Sequence, residues 1–128
     1  MKEERGRQKI LVALRGEEVA SRFDMAPEAW LGTYREGEGF TNEKTVVLPQ
    51  ASAENLCRLI VSEGVNTVVC GGIEQEYYDY LTWKKINVVD FVVGSLDEVK
   101  KRIASGTLKA GNILVKRAGE STDELSEE

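Results

Sequence analysis

NTVVCGGIEQEYYDYLTWKKINVVDFVV, residues 66–93, decides the fold. A short β-branched run, Asn66 to Cys70, ends on two glycines. An acidic and aromatic segment follows, in which Ile73, Tyr77, Tyr80 and Leu81 recur at helical spacing and form an apolar stripe. Lys84 and Lys85 stand in its last turn, where cations complement the helix dipole. Ile86 to Val93 is again apolar and β-branched. Strand, helix and strand in this order predict parallel strands joined by a right-handed crossover, with helices against the faces of the sheet.

The same pattern extends to both sides. Upstream, Ser52 is placed as an N-cap, and Ala53, Leu56, Cys57 and Ile60 follow i, i+3, i+4, i+7 spacing, with Gly64 closing the helix. This puts Cys57 on a core-facing helical surface. Downstream, Ser95-Leu96-Asp97-Glu98 is a capping box that opens a third helix. Its inner face is Leu96, Val99 and Ile103, and it ends at Gly106. Farther on, Ile113-Leu114-Val115 reads as a short strand. Toward the N-terminus, Lys9 to Leu14 is a near-continuous apolar run that stops at Arg15-Gly16, as a strand buried on both faces does. EEVASRFDMAPEA, residues 17–29, reads as a loop with one helical turn. Trp30–Tyr34 and Lys44–Leu48 flank REGEG (35–39), whose turn chemistry makes them an antiparallel hairpin. The expected class is α/β: a three-layer fold with a mixed five-stranded sheet, built from a β-hairpin plus a parallel βαβαβ unit, with helices on both faces. One domain is expected over 9–116, between a flexible arm at 1–8 and a disordered acidic tail at 117–128.

Composition narrows the function. The net charge is −5, from 17 Lys and Arg against 22 Asp and Glu, and much of the acidic excess sits in the tail. A body without a concentrated basic face does not suit nucleic acid, whose affinity comes mostly from phosphate neutralisation. No apolar run approaches the roughly 20 residues of a membrane-spanning helix. MKEERGRQK lacks the apolar core of a secretory signal, so the expected location is the cytoplasm, where Cys57 and Cys70 stay reduced. The chain contains no histidine. That excludes Ser-His, Cys-His and His-metal constellations together. A nuclease-type metal pair held by carboxylates is also unsupported, because the first strand carries no acid and Asp90 is isolated among apolar residues. No enzymatic activity is expected.

Ligands of open α/β sheets gather beyond the carboxyl ends of the strands. Three such ends share a character here: Leu14-Arg15-Gly16, Cys70-Gly71-Gly72 and Val93-Gly94-Ser95. Glycine admits a ligand to the backbone, helix N-termini favour anions, and Arg15 and Arg22 add positive charge. Tight strand-to-helix turns use the same glycines, and no complete dinucleotide or P-loop motif is present. Cys70 has two readings. It is a buried strand residue, or it is a thiol acidified near a helix N-terminus that donates to a soft metal. Without a histidine to act as base it is not a nucleophile.

KILVAL at the first strand, VASRFDMAP after it, GVNTVVCGGI in the middle and GSLDEVKKRIASGTL near the end resemble the dinitrogenase iron–molybdenum cofactor biosynthesis family. These are small nitrogenase accessory and cluster-carrier proteins, and the resemblance runs from Lys9 to Leu108. It implies a ribonuclease H-like fold and a non-enzymatic role: holding an anionic iron–sulfur or iron–molybdenum-type cluster, or a precursor, for a cluster-donating or cluster-receiving protein. The protein would be a monomer or weak dimer. The implied cleft is lined by Arg15, Gly16, Arg22, Asp24, Met25, Cys70, Gly71, Gly72, Gly94 and Ser95, with Cys70 as metal ligand and Met25 as a weaker thioether donor. Where many family members carry His-Phe-Gly, this chain has Arg22-Phe23-Asp24. An arginine does not ligate a metal as histidine does, but it neutralises an anion. Three alternatives stay open: Cys70 ligates, charge and backbone N–H groups bind, or this branch holds no cluster. Two rival functions also stand. One is an interaction module using the hairpin and the tyrosine helix, through Trp30, Tyr34 and Tyr78. The other is a small-molecule anion or nucleotide binder at the same loops.

Overall fold

A computed structural model describes residues 6–114. Along the chain lie β1 (Arg7–Arg15), β2 (Glu18–Val19), a 3₁₀ turn (Phe23–Met25), β3 (Glu28–Arg35), β4 (Gly39–Val47) and α1 (Ala53–Ser62). Then come β5 (Thr67–Val69), α2 (Gln75–Trp83), β6 (Asn87–Val89), β7 (Val93–Gly94), α3 (Leu96–Ser105) and β8 (Ile113–Leu114). The sheet runs in the order β4-β3-β1-β5-β6, with β2 folded back onto the end of β1. β1, β5 and β6 are parallel, and β3 and β4 form the antiparallel hairpin on the other side of β1. This is the mixed sheet expected from the sequence.

β1 organises the layers. Successive strand side chains point to opposite faces, and β1 is apolar on both. Leu11 and Ala13 join Leu31 and Val68 against Leu56, Cys57 and Ile60 of α1 and Leu81 of α2. Ile10, Val12 and Leu14 join Trp30, Val69 and Val89 against Val99 of α3. Two cores therefore share one sheet, with α1 and α2 on one face and α3 on the other. Each fully buried Leu or Ile is worth about 1.5–3 kcal/mol of apolar transfer. The caps stand as the sequence places them: Ser52 Oγ accepts the Asn55 N–H at 3.0 Å, and Ser95 Oγ accepts the Glu98 N–H at 3.1 Å.

β2 lies inside the expected 17–29 loop, and the hairpin strands run longer than expected, at Glu28–Arg35 and Gly39–Val47. The structure departs from the sequence reading in four further places. First, β1 begins at Arg7, because Arg7 and Gln8 pair with Arg35 and Tyr34, so the expected arm is shorter. Second, Ile86–Val93 is not one strand. Phe91 adopts a left-handed φ of 57°, and the N–H groups of Phe91 and Val92 turn back onto the carbonyls of Gly71 and Cys70. The chain leaves the sheet there, and β7 pairs in parallel with β8 instead. Third, Trp30 is 3% exposed. Its indole packs edge-on to Phe40 at 5.8 Å, and Lys100 Nζ, held by Glu43, lies 5.4 Å from it. Tyr34 is half-buried and donates to the Ala104 carbonyl. The hairpin aromatics thus serve the α3 core and not a contact surface. Fourth, α2 turns Tyr77, Tyr78 and Leu81 inward and leaves Tyr80 exposed. The acidic tail, Val115 and the first five residues lie outside the described residues.

Glu63, the C-cap of α1, ties three elements together. Its carboxylate accepts from Lys9 Nζ of β1 at 3.0 Å and from Lys44 Nζ of β4 at 3.4 Å. The Lys9 hydrogen bond first, then the Lys44 charge, holds this carboxyl below its ordinary value. A depressed carboxylate stabilises the fold above its unfolded pKa of about 4.3 and loses that contribution as pH falls through the lower folded value. Thermal unfolding of the native chain and Glu63→Gln between pH 7 and pH 3 should show the native advantage shrinking across the acid range. A pH-independent difference would exclude a charge contribution from this carboxylate.

Candidate functional site

The parallel strands β1, β5 and β6 end at one edge of the sheet, and the β1–β2 turn divides that edge. Ala20, Phe23 and Ala26 fall in with the α1/α2 core, whereas Val19, Val92 and Leu114 fall in with the α3 core. On the α1/α2 side, segment 20–26 is strapped to the end of β5. Gly72 N–H donates to the Ser21 carbonyl at 2.8 Å, and Phe23 N–H donates to the Gly72 carbonyl at 2.8 Å. The approach is so close that a Cβ on Gly71 would stand 2.4 Å from the Ala20 oxygen and 2.5 Å from that of Ser21. Gly71 is therefore required for packing one backbone against another.

This strap presents a small rim. Arg22 forks onto Asp24, with Nε–Oδ1 at 3.1 Å and Nη2–Oδ2 at 2.8 Å. Each raises or lowers the other accordingly: the fork holds the Asp24 carboxyl below its usual range and the Arg22 guanidinium above its own. Met25 N–H donates to the Arg22 carbonyl at 3.1 Å, and Arg15 Nη2 reaches the Met25 carbonyl at 3.4 Å. The Met25 residue is 50% exposed. Phe91, 59% exposed, flanks Gly72, its ring lying 3.6 Å from where a Cβ on that glycine would be.

Other predicted residues are elsewhere. Cys70 is fully buried within the α1/α2 core. Burial, and secondarily the charge of Asp90, pushes its thiol up to about 12. The helix dipole does not acidify it, since α2 starts only at Gln75. A sealed, protonated thiol offers no ligand to the rim, so in this structure Cys70 is a core residue. Cys57 is likewise buried in the core, with burial and then Glu54 pushing its thiol up to about 11. No group of three or more His, Cys, Asp or Glu residues suited to a metal occurs among the described residues. Gly94 backs onto β8, where a Cβ would stand 2.7 Å from that of Leu114. Ser95 is spent as the α3 cap, and the Gly16 N–H donates to Glu28 at 3.0 Å. Gly16 and Ser95 border a groove of about 500 Å³ whose charged lining is Glu17, Glu28 and Asp97. Its neighbour, about 390 Å³, sets Glu18, Asp97 and Glu98 against Lys101 among the described residues. Grooves of that sign repel phosphate, which removes the support for a nucleotide binder there.

The edge therefore gathers Arg15, Arg22, Asp24, Met25, Gly71 and Gly72, and leaves Cys70, Gly16, Gly94 and Ser95 apart. Phe91 belongs with the gathered set, although the sequence reading ran a strand straight through it. Its only local signal was Asp90, a charged residue breaking the apolar run.

No protein-family model matches the chain, and no curated protein is found similar to it. Solved structures are. PH0822 superposes with a TM-score of 0.71 at 24% identity, over 80% of this chain and 93% of that one. A protein from Methanocaldococcus jannaschii named a "putative dinitrogenase" gives 0.66 at 19% identity, over 80% and 92%. One from Thermotoga named a "putative NifB protein" of the DUF35 family gives 0.61 at 19% identity, over 88% and 99%. At these identities the similarity establishes the fold that the chain shares with them.

Gly71→Ala should destabilise the protein by about 1–3 kcal/mol, the usual range for overpacking. Gly72→Ala, whose Cβ meets only ordinary contacts, should cost much less; denaturant titration of both variants distinguishes them. Ellman's reagent should leave Cys70 untouched in the folded protein and modify it at the rate of unfolding. Rapid native reaction at Cys70 would show a thiol that opens to the rim.

Proposed function

We propose that this chain is a non-catalytic binding domain that holds an anionic metal–sulfur cluster, of iron–sulfur or iron–molybdenum type, or a precursor, at the rim of Arg15, Arg22 and Met25. It passes this cargo to a receiving protein. The observation that carries the reading is Met25, an exposed thioether-bearing residue on a strapped turn, whose carbonyl accepts from the Arg15 guanidinium and whose N–H donates to the Arg22 carbonyl. A thioether is a soft, polarisable donor. Guanidinium groups neutralise an anion without competing as ligands. Asp24 fills the Arg22 fork, and an anionic cargo competes with it for that fork. Phe91 supplies an apolar wall beside Gly72.

Three further points support the reading. The sequence resembles the dinitrogenase iron–molybdenum cofactor biosynthesis family, whose sheet is ribonuclease H-like. Structural neighbours carry dinitrogenase and NifB names. The chain has no histidine with which to build the common hydrolytic sites. In this reading the protein works in the cytoplasm. No described helix is long and apolar enough to cross a membrane. Cys70 takes no part, because it is sealed in the core.

Anaerobic reconstitution with iron, sulfide and molybdate, followed by metal and sulfide analysis, tests the assignment. The native chain should retain stoichiometric iron and sulfide. Arg15→Ala/Arg22→Ala/Met25→Ala should lose them, Cys70→Ala should keep them, and Asp24→Asn should retain at least as much as the native chain. A native chain that stays metal-free, or equal retention in the triple variant, overturns the proposal. A second reading, a protein-interaction module, is favoured by Tyr80 and Trp83, which stand exposed on α2.

A further inference from the structure

α2 commits only part of its surface to the core. Leu81 is buried, and Tyr77 and Tyr78 lean on the same cluster, but Tyr80 is 39% and Trp83 74% exposed. Glu76, Tyr80, Trp83 and Lys84 stand at i, i+4, i+7 and i+8, so they share one stripe of the helix. The stripe is an assembled surface: Lys84 Nζ lies 5.7 Å from the Tyr80 ring centroid and 5.6 Å from that of Trp83. Beside it, between α1 and α2, runs a groove of about 490 Å³ lined by Glu54, Cys57, Arg58, Glu76, Tyr77 and Tyr80. The Tyr77 hydroxyl donates to Glu54 at 2.8 Å and bridges the two helices.

Charge along α2 is polarised. Glu74, Glu76 and Asp79 occupy its N-terminal half and cap, and Lys84 and Lys85 follow its C-terminal end. A helix of this pattern complements an antiparallel copy of itself. Around a two-fold axis at Tyr80, Glu76 and Lys84 are each four residues from the centre. Glu76 of one copy then faces Lys84 of the other, twice. Parallel pairing would instead set Glu76 against Glu76. Trp83 and Tyr77 are each three residues from the centre, on opposite sides, so the exposed indole of one copy approaches the groove beside Tyr77 of the other. An exposed aromatic anchor and an open groove on the same chain form both halves of an isologous contact. The charged pairs then sit at the rim of an aromatic centre, the usual anatomy of an interface.

We infer that α2 and the α1–α2 groove form a homodimer face, with a second copy of this chain as occupant, antiparallel about Tyr80. None of these residues belongs to the Arg15–Arg22–Met25 rim, so the contact and the cargo proposal stand or fall separately.

Sedimentation velocity of the full chain over a range of concentrations tests the inference. The native chain should show a monomer–dimer equilibrium that weakens with added salt. Trp83→Ala should weaken association at least tenfold. Glu76→Lys alone and Lys84→Glu alone should each be monomeric, because like charges then meet twice. An equimolar mixture of those two variants should associate, and so should the Glu76→Lys/Lys84→Glu double variant. All three positions are exposed, and circular dichroism checks that each variant is folded. A native chain that is monomeric at every concentration overturns the inference and leaves the face to some other partner. A dimer indifferent to both charge reversals overturns it by placing the contact elsewhere.

Discussion

The structure depends on β1 being apolar on both faces. A strand with one wet face anchors one layer of helices, whereas Ile10 to Leu14 alternate between two cores and so call for helices on both sides. Its two flanks differ as well, with β5 parallel on one and β3 antiparallel on the other. One central strand thus joins the local hairpin to the crossover half of the chain. A charge introduced at any of these five positions would lack a solvated face to turn toward, and burying it unpaired costs several kcal/mol.

What happens at the carboxyl end of that strand follows from a close contact between backbones. Segment 20–26 returns over the end of β5 and bonds to Gly72 from both sides, at a distance that excludes a side chain on Gly71. The strap has two chemical consequences. It helps seal Cys70 beneath the surface, where loss of hydration keeps the thiol protonated. It also carries Met25, which stays exposed and whose carbonyl accepts from the Arg15 guanidinium. The soft sulfur presented at this edge is therefore a thioether, neutral at every pH, and the charge comes from guanidinium groups that stay cationic. Binding built from such groups depends on the ionic strength more than on the pH.

Electrostatics also separates surfaces that lie near one another. The β1–β2 turn sets an arginine-bearing rim against grooves lined by Glu17, Glu28, Asp97 and Glu98. In the proposed reading the anionic cargo goes to the first and not to the second. The polarised stripe of α2 belongs to neither, since its charges are arranged along the helix axis and complement a reversed copy.

Much of the fold was legible in the sequence because periodicity and caps are local. The apolar run of β1, the 3.6-residue stripe of α1, the Ser52 and Ser95 caps and the turn at 35–39 all stand where local chemistry puts them. The candidate edge was legible in outline, since parallel strands end together and Arg15, Arg22, Met25 and the glycine pair adjoin those ends. Which residues face outward there was decided by tertiary contact. Cys70 and Met25 are both sulfur-bearing residues beside a strand end, and long-range packing buries the first and leaves the second exposed. Trp30 and Trp83 are equally apolar by composition, yet Phe40 and Lys100 cover the first, whereas among the described residues the second stays largely exposed. Phe91 breaks a run in which only Asn87 and Asp90 disfavour a strand, because hydrogen bonds to Gly71 and Cys70, distant in sequence, outweigh the cost of its left-handed backbone. Sequence alone determined most of the elements and their order. Exposure, charge pairing and backbone approach were settled by long-range packing, which local pattern does not encode.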